Sequence, residues 1–101
     1  MEPIDFNGID TTVHGPLRLG VLTVLQMDGP QNFTTLKKRL QASDGAIAPH
    51  LRKLEEEEYV SCKKSFVGRR PMSTYRITSH GRKAFAEHIE KMQRLIAALQ
   101  Q

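Results

Sequence analysis

Three observations predict a mainly helical α+β chain made of three helices, a β-hairpin and a long terminal helix. Within 44–57, Ile47, Leu51 and Leu54 recur at i, i+4 and i+7, which sets three aliphatic side chains on one helical face. From Tyr59 the period changes. The segment to Val67 is β-branched and aromatic with rough alternation, and Ser73 to Thr78 answers it across a turn holding Gly68 and Pro71. Beyond Ser79, which can cap a final helix over 79–100, Phe85, Ile89, Met92, Ile96 and Leu99 are spaced by 4, 3, 4 and 3 residues, with Leu95 beside them. A two-stranded hairpin is at best marginally stable alone, so helices must cover its apolar face.

The elements upstream follow from local signals. Residues 1–15 carry Ile4, Phe6, Ile9 and Val13 without a clean period and read as a short helix or an extended arm. Pro16 suits a first helical turn, and Leu17, Val21, Leu22 and Leu25 form an apolar stripe that Asp28-Gly29-Pro30 ends. Gly20 inside that helix lowers its propensity and points to close packing against a neighbour. Asn32 is placed to cap a short second helix with Phe33, Leu36 and Leu40 inward, and Ser43-Asp44-Gly45 turns into the third. Two short helices across a tight turn, both bearing basic residues, are a helix-turn-helix arrangement. Pro49 lacks an N–H and would clash with the carbonyl of Gly45, so the third helix is expected either to start late, near Ala48, or to kink. With no repeat and no linker, residues 1–101 read as one domain.

Charge is distributed unevenly. Fifteen Lys and Arg against 11 Asp and Glu give a net +4, but 12 of the basic residues lie between Lys37 and Lys83, with five acids, leaving that stretch +7 and the remainder −3. A central positive field on a small chain favours a polyanionic partner. A single cysteine, Cys62, excludes an intramolecular disulfide and reads as a small buried thiol. With no apolar span and no charged leader, the expectation is a soluble cytoplasmic protein without a membrane partner. His14, His50, His80 and His88 form no ligand set with one cysteine. Nor is there a Gly-rich phosphate loop or nucleophile elbow, so neither an enzyme, a metal site nor a cofactor is expected.

Stepping around the third helix from Ile47 places Pro49, Arg52, Lys53 and Glu56 away from the core. The N-terminal part of a recognition helix is what meets base edges, which selects Gly45, Ala46, Ala48 and Pro49, with Arg52 and Lys53 behind them. These are poor hydrogen-bond donors: alanine meets only a thymine methyl or allows close approach, so phosphate contacts and DNA shape carry the expected affinity. Thr34, Lys37 and Lys38 on the second helix are candidates for backbone contacts. Arg69 and Arg70, at the hairpin tip with Lys64 nearby, suit a narrow minor groove, where negative potential is enhanced.

The segments HGPLRLGVLTVL, NFTTLKKRL, DGAIAPHLRKLEEEEYV and GRRPMSTYRITSHGRKAF, in that order from His14 to Phe85, resemble the small stand-alone winged-helix transcriptional regulators related to MarR and ArsR. The resemblance implies a winged helix-turn-helix that binds double-stranded operator DNA as a homodimer. Helix 44–57 would enter the major groove, the wing 63–74 would lie at a minor groove, and the terminal helices would meet through Phe85, Ile89, Met92, Leu95, Ile96 and Leu99. It also leaves room for a small-molecule effector that no residue here specifies. The chain departs from the pattern at Ala46, Ala48 and Pro49, where polar or basic residues are common. It departs again at Glu58, where a glycine commonly precedes the strand, and at Gly68, near the place of an acid that often precedes the wing arginine. The same residues allow an alternative, a winged-helix module whose basic wing meets an acidic protein.

Overall fold

The computed structural model describes residues 12, 13 and 15–101; the arm read over 1–15 lies outside them except for Thr12 and Val13, both buried, and Gly15. The described residues form α1 (Pro16–Asp28), β1 (Gln31–Asn32), α2 (Phe33–Leu40), α3 (Asp44–Glu56), β2 (Val60–Val67), β3 (Arg70–Ile77) and α4 (Ser79–Leu99). All three strands are antiparallel in the order β1-β3-β2.

The first three helices bury the faces their sequence predicts, except that α1 buries Val24 where the sequence points to Leu17. α1 buries Val21, Leu22, Val24 and Leu25, α2 buries Leu36, and α3 buries Ile47, Leu51 and Leu54. Val60 and Ile77, opposite each other on β2 and β3, close this core from the sheet side. A Cβ on Gly20 would lie 2.6 Å from Cδ2 of Leu40, so the glycine is what lets α1 meet α2 closely. Asn32 caps α2 as expected, Oδ1 accepting from the Thr35 amide at 2.8 Å.

Two boundary expectations need correction. α3 does not start near Ala48: it runs unbroken from Asp44, capped by Ser43, whose Oγ accepts from the Ala46 amide at 3.2 Å. Pro49 is tolerated inside it because Gly45 and Pro49 share the exposed face, so the carbonyl that Pro49 cannot bond stays open to solvent. At α4 the cap is Thr78 rather than Ser79. Its hydroxyl accepts from the Gly81 amide at 2.9 Å and donates to the Glu58 carbonyl at 2.6 Å, tying the start of α4 to the end of α3. The same junction leaves no room at Gly81, where a Cβ would fall 2.0 Å from the carbonyl oxygen of Tyr59.

The hairpin is longer and its turn shorter than the sequence suggests. Val67 pairs with Arg70, leaving only Gly68 and Arg69 in the turn. Gly68 takes φ +64° at the first central position, as a type II′ hairpin requires. Pro71 belongs to β3, opposite Phe66. β1 pairs only with Thr74 and Tyr75, so β3 has an open side at Pro71, where a missing N–H breaks no ladder. α4 projects beyond this body, and the described residues measure 60 × 25 × 21 Å.

Candidate nucleic-acid interface

On α3, opposite the buried Ile47, Leu51 and Leu54, the residues Gly45, Ala46, Pro49, Arg52 and Glu56 are exposed. Ala48 is half-buried at the edge. The predicted contact set on this helix therefore divides: Ala46, Pro49 and Arg52 are open to a partner. Lys53 lies half-buried along its stem and pairs with Glu57 at 3.2 Å. That pair also accounts for part of the acidic run Glu55 to Glu58. His50 sits beside α1, its Nδ1 accepting from Nε of Arg18 at 3.0 Å.

The second helix presents Thr34 and Lys38 as exposed side chains. Lys37 is engaged within the fold, its ammonium paired with Asp44 and lying 5.3 Å from the centroid of the Phe33 ring. The ion pair spans the turn between α2 and α3, and the sequence did not single it out because Asp44 reads locally as a turn residue. Arg39 pairs in the same way with Asp28 at the end of α1.

The wing is the most strongly charged element. Lys63, Lys64, Arg69 and Arg70 are all exposed, and the chain carries no acidic residue from Tyr59 to Ala86. An open groove separates the wing from the start of α2, lined among others by Asn32, Phe33, Thr34, Arg70, Pro71 and Tyr75. It joins two parts of the predicted set, Thr34 and Arg70, that lie far apart in sequence. Tyr75, inside this groove, faces Cys62 across the strands. Burial, then the charge of Cys62 and a hydrogen bond with it, and last the carboxylate of Glu55 raise the phenol well above its ordinary range. Cys62 is half-buried, less enclosed than expected.

The terminal helix has its buried residues in its first half and is open toward its end. Gly81, Ala84 and His88 are buried against the domain, whereas the seam is progressively open: Phe85 packs at the core margin, Met92 and Leu95 are half-buried, and Ile89, Ile96 and Leu99 are 38%, 51% and 77% exposed. Among the described residues no helix is long and apolar enough to cross a membrane, and no cluster of three or more His, Cys, Asp or Glu could hold a metal.

Comparison with known proteins accords with this geometry. The chain is 35% identical over 79 residues to an uncharacterized protein of Methanocaldococcus jannaschii, covering 78% of this chain and 86% of that one. The transcriptional regulator homologue of Pyrococcus horikoshii superposes with a TM-score of 0.80 at 25% identity over 87% of both chains. A zinc-responsive MarR family member of Lactococcus lactis shares the fold at 17% identity, with a TM-score of 0.62 over 99% of this chain and 65% of that one. The model of the winged helix DNA-binding domain matches residues 17–96, and with the helix-turn-helix and basic hairpin in the places that fold requires, the chain belongs to the winged helix DNA-binding domain family.

Proposed function

We propose that this protein is a transcriptional regulator that binds operator DNA as a homodimer, with α3 in the major groove and the wing at a minor groove. The observation that carries the reading is the wing: Arg69 in a two-residue turn and Arg70 beside it, exposed together with Lys63 and Lys64, on a stretch without a carboxylate. Guanidinium groups on a narrow protrusion suit a narrow minor groove. On α3, Arg52 behind Ala46 and Pro49 offers little hydrogen bonding to bases, so affinity rests on phosphates and sequence preference on DNA shape. Thr34 and Lys38 add backbone contacts from α2, while Lys37 and Lys53, already paired with Asp44 and Glu57, contribute through the field they add to. The exposed seam of α4 supplies the dimer contact, in cytoplasm as the setting of an operator-binding protein. An effector would act between the paired α4 helices and the DNA-binding lobes, where a bound molecule can bias their separation.

Binding to random-sequence duplex and to the DNA upstream of the chain's own coding sequence, measured over a salt series, tests this. Tighter binding to the upstream DNA, weakening steeply with salt, is the expected result. Replacing Arg69 and Arg70 with Ala should reduce the slope of log K against log salt by about one per arginine. Equal affinity for both duplexes would make the protein a non-selective DNA binder, and absence of binding at low salt would transfer the wing to an acidic protein partner.

A further inference from the structure

The wing carries apolar side chains that the core does not need. Along the face of the hairpin turned to the helices, successive cross-strand pairs are Val60 with Ile77, Cys62 with Tyr75, Lys64 with Ser73, and Phe66 with Pro71. The first pair is buried and the second half-buried. The third is polar, and there the hydrophobic core ends. The fourth is apolar again, with Phe66 74% exposed, while Val67 on the opposite face is 58% exposed. A solvated hairpin tip gains nothing from a bare phenyl ring, and an exposed apolar cluster rimmed by charge marks a contact surface. Lys63, Lys64, Arg69 and Arg70 supply that rim.

We propose that Phe66, backed by Pro71, is the wing's apolar contact to duplex DNA, seated against the deoxyribose wall of the minor groove while Arg69 reaches toward its floor. This rests on the DNA-binding reading above and adds to it a contact that charge alone does not provide. The occupant follows from complementarity. Lys64 on the ring's own face and Arg69 at the turn beside it, with Lys63 and Arg70 on the other face of the same narrow hairpin, repel a second copy of the wing, and the lysines on β2, an edge strand, oppose strand pairing with one. A minor groove pairs anionic rims with apolar sugar walls, and proteins that enter it commonly place apolar side chains beside arginine.

The test compares wild type, Phe66→Ala, Phe66→Leu and Arg69→Ala by fluorescence anisotropy on a labelled 20–30 base-pair duplex, a length on the order of one operator, across a salt series, with circular dichroism and melting as controls for the hairpin. Phe66→Ala should weaken binding about tenfold at every salt concentration with an unchanged salt slope, since an apolar contact releases no counterions. Phe66→Leu should retain most of the affinity, and Arg69→Ala should lower the slope. Phe66→Ala binding as tightly as wild type would overturn the contact and leave the DNA reading standing. A wild-type protein that fails to bind duplex would overturn both. Binding to anionic phospholipid vesicles that depends on Phe66, with duplex affinity insensitive to it, would assign the ring to a lipid surface instead.

Discussion

Nε of Arg18 on α1 donates to Nδ1 of His50 on α3 at 3.0 Å, while Nη1 of the same guanidinium donates to the Thr12 carbonyl at 3.3 Å. A scaffold helix thus holds, through one side chain, the helix whose outer face carries Ala46, Pro49 and Arg52. His50 lies one position from Pro49, so its tether fixes the part of α3 whose backbone bonding proline weakens.

His50→Ala should cost about 1.5–3 kcal/mol, the range for a hydrogen bond to a charged group. Urea denaturation of His50→Ala, Arg18→Ala and the double variant reads the coupling directly. A double variant no less stable than the worse single one is expected, and strictly additive losses would show that the two residues act independently.

The junction after α3 holds a residue in an unfavourable conformation. Glu58 has φ +61°, in the left-handed region that side chains with a Cβ resist. Its carbonyl receives the Thr78 hydroxyl, which keeps the turn in place despite the strain. Glu58→Gly should raise stability by about 0.5–1 kcal/mol, relief of the strain being partly offset by the greater freedom of glycine in the unfolded chain. Thermal melting at constant pH checks the sign. A lower melting temperature would mean that the Glu58 side chain contributes more than its backbone costs.

Tyr75 gives the wing root a pH dependence. Burial first, then Cys62, then Glu55 hold its phenol protonated to higher pH in the folded chain than in the unfolded one, where the value is about 10. Below about pH 10 both states keep the proton and the full contribution is present. As pH rises further, the unfolded state loses its proton first, so stability falls. Denaturation midpoints between about pH 8 and 11 should therefore decline for wild type and decline less for Tyr75→Phe. Parallel declines would assign the alkaline loss to other groups.

Much of this fold was legible because its helices are amphipathic at the scale of single turns. Ile47, Leu51 and Leu54 define α3 without any knowledge of their neighbours, and Asn32 and Gly68 mark a cap and a turn by chemistry that acts within three residues. What escaped the sequence depends on contacts between distant segments. β1 is two residues long, too short for a period, and exists because Thr74 and Tyr75 offer it a ladder. Thr78 and Ser79 carry equivalent hydroxyls, and only the nearby Glu58 carbonyl decides which caps α4. By sequence Lys37 is a candidate phosphate contact, and only the fold brings Asp44 to it. The exposed part of the candidate site, Arg69 and Arg70 above all, was readable because a charged tip needs no partner to stay on the surface.

The seam of α4 gives the last expectation. Gly81, Ala84 and His88, near the start of the helix, are buried against the domain, whereas Ile89, Ile96 and Leu99 further along it are exposed. Ile96 is some 25 Å along the helix from Ser79 at about 1.5 Å per residue, beyond the reach of the core. On the homodimer proposed above, a second copy meeting the first through this 4-3 repeat would bury it. Ile96→Asp would then place a carboxylate in each half of the contact and weaken association by about 3 kcal/mol, roughly a hundredfold, while leaving the monomer's core intact. Sedimentation velocity over a concentration series reads this shift, with melting of the variant as the control for its fold. Unchanged sedimentation would place the dimer contact on another face and leave Ile96 as surface.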